Sequence, residues 1–189
     1  DAFVTKINTA ASSLVFSSYI GGEAEDIGYD VAVDSSGSAH ITGTTTSLDF
    51  PVVDPLQGEL KGNRDAFVVK LTPPGTGYMH ASYLGGYGID HGLSLAVDSS
   101  GDVGVAGQTG STDFPVVNGF QTTLGGGTDA FVARVRDEPS VRELLYYLPQ
   151  VANGSYAGGR FRTTFVIFNP NDAAARASIS SRISQAGWS

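Results

Sequence analysis

The sequence predicts an all-β chain assembled from tandem copies of one four-stranded unit. Three observations lead there. The segment DAFVTK at Asp1 returns as DAFVVK at Asp65 and as DAFVAR at Asp129, two steps of 64 residues. Each full step carries short runs rich in Val, Ile, Phe and Tyr, bounded by Gly, Pro, Ser and Asp, the grammar of strands and turns. No segment shows a 3.6-residue hydrophobic period of useful length.

The other landmarks keep the same step: SYIGG at Ser18 with SYLGG at Ser82, AVDSSG at Ala32 and Ala96, DFPVV at Asp49 and Asp113. Residues 1–64 laid over 65–128 without a gap share 28 identities. Such self-similarity marks a repeat architecture. The third copy decays after Arg136, although Tyr19, Tyr83 and Tyr147 keep the spacing. Residues 142–148 are therefore expected to form the strand that SLVFSSYI forms in the first copy. The glycine pairs Gly21-Gly22 and Gly85-Gly86 give way to Pro149-Gln150.

In the first repeat the expected strands are Ala2–Ile7, Leu14–Ile20, 29–33 and 39–42. The DSSG segments at Asp34 and Asp98 read as hairpin turns. The aspartate carboxylate caps the turn, and Gly37 and Gly101 supply positive φ. Pro73-Pro74-Gly75 makes another break. The strand AFVVKL is apolar on both parities, which suits a sheet covered on both faces. Tandem four-stranded units of this kind suit a β-propeller. Each blade is phased as the AVD strand, the strand after SSG, DAFV, and then the SYLGG strand. The segment TTTSLDFPVVDPLQGELKGNR becomes an excursion at one rim. A parallel β-helix is the competing repeat fold, but its rungs are usually shorter than 64 residues.

These elements, DAFV…K, SYLGG…D…G, AVDSSG…G and DFPV, resemble the bacterial SBBP (seven-bladed β-propeller) repeat over residues 1–136. The resemblance implies a propeller in a secreted or surface-exposed bacterial protein. It implies no catalytic residues. Two blades cannot close a ring of ~4–8, so the remaining blades are expected upstream in a longer chain. The start at Asp1, without an initiator methionine or a signal peptide, reads the same way.

Charge divides the chain at the same place as the pattern. Residues 1–136 carry a net −9 and residues 137–189 a net +1. The expected organisation is repeats at 1–64 and 65–128, a third starting at 129, a last blade strand or linker at 137–148, and a partial C-terminal β-strand module at 149–189. Residues 144–189 resemble the opening strands of the β-sandwich modules that end many exported bacterial proteins. Strands are expected at 163–168 and 177–183 around the turn at Asn169-Pro170.

Composition removes several function classes. There is no cysteine, hence no disulfide framework and no thiolate metal site. A net charge of −8 opposes nucleic acid, whose phosphates call for a basic face. No run approaches the ~18 apolar residues of a membrane-spanning helix.

The candidate site residues are mostly aspartates. Asp26 and Asp90 follow the glycine pairs. Asp98, Ser100 and Asp102 alternate as oxygen ligands do in calcium loops, but the glycine such a loop needs is Val103, and the first repeat has Ser38 in place of Asp102. Turn capping is the preferred reading, with no cofactor expected and calcium as the alternative. His40, His80 and His91 fall at three different repeat positions, so they form no repeated ligand set; only His91 beside Asp90 suggests a dyad. The glycine pairs and Gly125-Gly126-Gly127 lack the helix and Lys-Ser/Thr of a phosphate loop. Asn153-Gly154-Ser155 matches a glycosylation sequon, and Arg160 and Arg162 could meet an acidic partner.

The function expected is a non-enzymatic scaffold or binding module of an exported or surface bacterial protein, with a protein or glycan as ligand. The alternative is a glycan-active propeller hydrolase or lyase working through Asp26 and Asp90. Such chemistry needs two carboxylates converging on one bond, whereas repeated residues spread around a ring.

Overall fold

A computed structural model describes residues 1–136 and the strand at 144–147. The expected module at 149–189, Asn153-Gly154-Ser155, Arg160 and Arg162 lie outside the described residues.

Among the described residues ten strands follow in order: β1 Ala2–Ile7, β2 Leu14–Ile20, β3 Asp26–Val33, β4 Ala39–Thr45, β5 Asp65–Leu71, β6 Tyr78–Leu84, β7 Asp90–Val97, β8 Val103–Thr109, β9 Asp129–Val135 and β10 Leu144–Tyr147. They form two four-stranded sheets, β3-β4-β5-β6 and β7-β8-β9-β10, and a two-stranded sheet β1-β2. All in-sheet neighbours run antiparallel. The chain is thus an all-β partial propeller. Each blade takes its inner hairpin from one sequence repeat and its outer pair from the next.

Register makes the equivalence quantitative. Phe3 pairs with Tyr19 as Phe67 pairs with Tyr83, and Lys6 pairs with Phe16 as Lys70 pairs with His80. The β1-β2 sheet is therefore the outer half of a blade. A bulge recurs between Gly28 and Asp30 and between Gly92 and Ser94, re-aiming each inner strand at the same point.

The structure extends and corrects the expected strands. β3 starts at Asp26 rather than 29, and β4 runs to Thr45 rather than 42. The added pairs, Asp26 with Thr45, Ile27 with Thr44 and Gly28 with Gly43, are mostly polar or glycine and carried little apolar signal. The strand expected at 142–148 is present as β10, but Tyr147 pairs with Ala133, not with Phe131 as the 64-residue register requires. A slip of two residues keeps the same faces of a period-two strand, so the sheet accommodates it.

Burial explains why the DAFV strands are apolar on both parities. On one face of β5, Ala66 and Val68 join Leu84, Leu95, Val105 and Phe131 between the two complete blades. On the other, Phe67 and Val69 join Ala2, Ile20, Ile41 and Phe50. Each large side chain so buried contributes roughly 1.5–3 kcal/mol. Phe3, Val31 and Val33 are exposed, whereas Val4 packs on the core from the opposite face of β1.

Candidate functional site at the strand ends

The polar side chains collect at the two ends of each blade. At the end holding the glycine pairs, Asp26 and Asp90 are buried and turned toward their own loops. Gly22 N–H donates to Asp26 Oδ2 at 2.9 Å, and Gly86 N–H donates to Asp90 Oδ2 at 2.8 Å. Ser47 and Ser111 hydroxyls donate to the same oxygens at 3.0 and 2.7 Å. Asp49 and Asp113, from the DFPV segments, accept from Glu23 N–H and Tyr87 N–H at 2.9 and 2.8 Å.

This geometry accounts for the glycines. A β-carbon at Gly85 would lie 2.6 Å from Asp65 Cγ and 2.7 Å from Asp90 Oδ2. One at Gly86 would lie 2.4 Å from Asp113 Oδ1. Carboxylates press on the loop from both sides, and only glycine leaves room. The same carboxylates make the loop a hostile seat for phosphate.

Asp65 and Asp129 repeat a second arrangement. Gln57 and Gln121 donate their amides to Asp65 Oδ2 and Asp129 Oδ2 at 2.6 and 3.0 Å, and Lys61 N–H and Gly125 N–H add bonds at 3.1 and 2.7 Å. Burial pushes the Asp65 carboxyl up, and the charge of Asp90 adds to the rise against these hydrogen bonds.

At the opposite end sit the DSSG turns. Asp34 Oδ1 accepts from Ser36 N–H, the Ser36 hydroxyl and Ser38 N–H at 2.9, 2.6 and 3.0 Å. Asp98 Oδ1 accepts from Ser100 N–H, the Ser100 hydroxyl and Asp102 N–H at 2.9, 2.6 and 3.1 Å. Gly37 and Gly101 hold φ of 85° and 89°, the left-handed region open to glycine.

The second oxygen of each aspartate meets a cation that sequence reasoning missed. Asp34 Oδ2 contacts Lys70 Nζ at 3.1 Å and His40 Nε2 at 3.0 Å, with all three side chains nearly buried. Asp98 Oδ2 contacts Arg134 at 2.9 Å, and the same guanidinium reaches Asp102 Oδ2 at 2.7 Å. Lys70 and Arg134 are the basic residues that close DAFVVK and DAFVAR. Burial works to raise the Asp34 pKa, but hydrogen bonds from Ser36, His40, Lys70 and Ser38 N–H outweigh it and hold the carboxyl well below the ordinary range. Asp98 is lowered likewise: Ser100, Asp102 N–H and the Arg134 charge overcome burial.

The calcium candidates Asp98, Ser100 and Asp102 are thus one turn whose cation is a guanidinium and whose Ser100 hydroxyl donates to Asp98. Among the described residues no group of three or more His, Asp or Glu converges as a metal site. His40 and His80 flank Lys70 on the neighbouring strands and line one small pocket with it. His40 braces Asp34, and His80 is buried on β6. His91 meets Tyr29 edge-on at 6.4 Å, while Asp90 turns to Gly86 and Ser111. Burial and the nearby Arg64 push the His91 pKa down, with Asp90 opposing.

Residues 15–51 match the family model SBBP, described as a beta-propeller repeat. The match runs from β2 through the DSSG turn to the DFPV segment. No curated protein matches the chain.

Proposed function

We propose that the chain, whose residues 15–51 match the SBBP β-propeller repeat, is a non-catalytic scaffold or binding module of an exported or surface-exposed bacterial protein, its ring closed by further blades of a longer polypeptide. One observation carries the non-catalytic part. Asp26 and Asp90, the best carboxylate candidates, hold the same bonds to their own glycine loops in successive blades. A catalytic pair occupies unlike positions that converge on one substrate bond. Here the positions are alike and each carboxylate serves its own loop.

What remains available for recognition is the loop surface. Leu48, Tyr87 and Phe120 are exposed on the segments between strands. The acidic balance of residues 1–136 favours neutral or basic partners over anionic ones. Export rests on the family resemblance.

The test is a glycan and protein binding array paired with product analysis on the same polysaccharides. Ligands released chemically unchanged support the reading. Polysaccharide cleavage that disappears in a folded Asp26→Asn or Asp90→Asn variant would replace it with the hydrolase or lyase.

A further inference from the structure

Where two copies of a repeat agree, the shared residues build the fold. Where they differ, the fold accepts either residue and the position is open to another role. The stretch from the glycine pair to the bulge shows the division. Residues 21–30 read GGEAEDIGYD and residues 85–94 read GGYGIDHGLS. The shared aspartate and glycine pair hold each loop together. The differing letters gather at the junction between the two complete blades. Glu25 stands just before β3, Tyr29 at its bulge, Arg64 just before β5, and His91 second on β7. One repeat on, the places of Glu25, Tyr29 and Arg64 are taken by Ile89, Leu93 and Thr128; one repeat back, that of His91 is taken by Ile27.

These four residues form one patch. The Arg64 guanidinium donates to Glu25 Oε2. Burial first, and then the Arg64 charge, push the His91 pKa down against Asp90, so the ring is neutral at neutral pH. His91 meets the Tyr29 ring edge-on at 6.4 Å. The backbone beneath is fixed. Asp90 N–H donates to Arg64 O at 2.9 Å. A β-carbon at Gly62 would lie 2.8 Å from Gly86 O and 2.9 Å from the Tyr87 carbonyl carbon, so the entry to β5 lies tight on the entry to β7.

The chemistry of the patch is mixed and nearly neutral. His91 Nδ1 is buried without a hydrogen-bond partner, and Nε2 is not enclosed in that way. An unmet acceptor is more tolerable than an unmet donor, so the proton sits on Nε2 and faces outward as a donor. Glu25 and Arg64 cancel in charge, yet their side chains stay 57% and 26% exposed. Tyr29 is exposed on its strand, and Tyr87 on the adjoining loop. An anion would meet Glu25, and a cation would meet Arg64. The hydroxyls of a neutral sugar both donate and accept, and the carbons of its ring give an apolar face that a phenol can cover.

We propose that Tyr29, His91 and the Glu25–Arg64 pair form a subsite for a neutral saccharide, its ring against Tyr29 and its hydroxyls on His91 Nε2, Arg64 and Glu25. This rests on the binding-module reading and names the ligand class and the place. Tyrosine loses little conformational freedom on binding, and the strand starts that carry the patch are already held.

The experiment titrates the 189-residue chain with short neutral oligosaccharides of glucose, mannose, galactose and N-acetylglucosamine, and with oligogalacturonate as the anionic comparison. Calorimetry reads affinity, and NMR reads the ring C–H signals of His91 and Tyr29. The variants Tyr29→Leu, His91→Ile and Arg64→Thr borrow the residue that the other repeat carries at the same place. Their thermal midpoints should stay close to the parent's. At least one neutral oligosaccharide should bind and shift both ring signals. Its affinity should fall roughly tenfold or more in each variant, as for a central contact. Tyr29→Phe keeps the ring and should keep most of the affinity.

Neutral oligosaccharides that leave both ring signals unmoved, affinity that survives all the variants, or tighter binding of oligogalacturonate each overturn the proposal. A saccharide or protein bound unchanged elsewhere on the chain would then keep the binding-module reading. Shorter products appearing during the titration would reject the non-catalytic reading, and this proposal with it.

Discussion

Asp30 and Ser94 stand 64 residues apart, at the same place in consecutive repeats, and their side chains hydrogen-bond each other across the blade boundary at 2.9 Å. The same Asp30 oxygen accepts from Leu95 N–H at 2.8 Å. A contact between equivalent positions cannot use one acceptor-only residue twice. Aspartate in one copy and serine in the next resolve this, so a divergent position in the repeat makes a specific inter-blade bond.

Ser94→Ala removes one partly exposed bond and should destabilise the chain by about 0.5–1.5 kcal/mol. Ser94→Asp sets two carboxylates against each other and should cost more than Ser94→Ala. The two variants, compared by urea unfolding midpoint at low and high salt, separate the cases: only the Ser94→Asp penalty should shrink with salt.

Gly85→Ala should be strongly destabilising, by about 1–3 kcal/mol, because the new methyl meets the buried Asp65 and Asp90 carboxylates at 2.6–2.7 Å. Gly77→Ala is the matched control. No atom lies within 4 Å of a β-carbon there, so its thermal midpoint should stay close to that of the parent. Equal effects would remove the steric account of the glycine pairs.

Acid should weaken the fold through the DSSG turns. Asp34 and Asp98 have folded pKa values below their unfolded ones. Their contribution is complete above the unfolded value of ~3.9 and is lost as pH falls through the folded values. Asp65 works in the opposite sense. Its folded pKa is raised, so its contribution is present below ~3.9 and lost as pH rises through the folded value. Asp34→Asn should flatten the acid limb of a stability–pH curve, and Asp65→Asn should lift the region above pH ~4 relative to the acid end. Parallel curves for parent and variants would contradict both assignments.

Calcium should leave the melting temperature unchanged, because the Arg134 guanidinium already supplies positive charge to Asp98 and Asp102. Asp98→Ala should cost about 1–3 kcal/mol with or without the metal, through lost turn bonds and the loss of one of the two carboxylates that Arg134 meets. Thermal melts in calcium and in chelator decide it. A calcium-dependent rise abolished by Asp98→Ala and Asp102→Ala would reinstate the metal site.

What was legible in the sequence is what local chemistry determines. The DSSG turns need only a short acceptor and a left-handed glycine three residues apart in one segment, and both are visible as letters. The blade phasing was visible because AFVVKL can be apolar on both parities only between two covered faces. The Lys70–Asp34 and Arg134–Asp98 pairs were not, although the basic residue closing each DAFV strand was in plain view. Pairing it with a turn 36 residues earlier requires the register of β4 against β5 and of β8 against β9. The glycine pairs were visible as loops, but their cause, carboxylates arriving from Asp65, Asp90 and Asp113, is a tertiary one. The two-residue slip of β10 was likewise hidden, since the tyrosine spacing survives while the pairing does not.

The structural blade straddles the sequence repeat, so that β3 to β6 form one cooperative unit and β1-β2 belong to another. Native-state hydrogen exchange, read strand by strand in rising denaturant, measures this directly. β3, β4, β5 and β6 should share one opening free energy, with β1 and β2 opening at a lower one. If instead β1 to β4 open together and apart from β5 to β8, the folding unit is the 64-residue sequence repeat and the blade assignment is wrong.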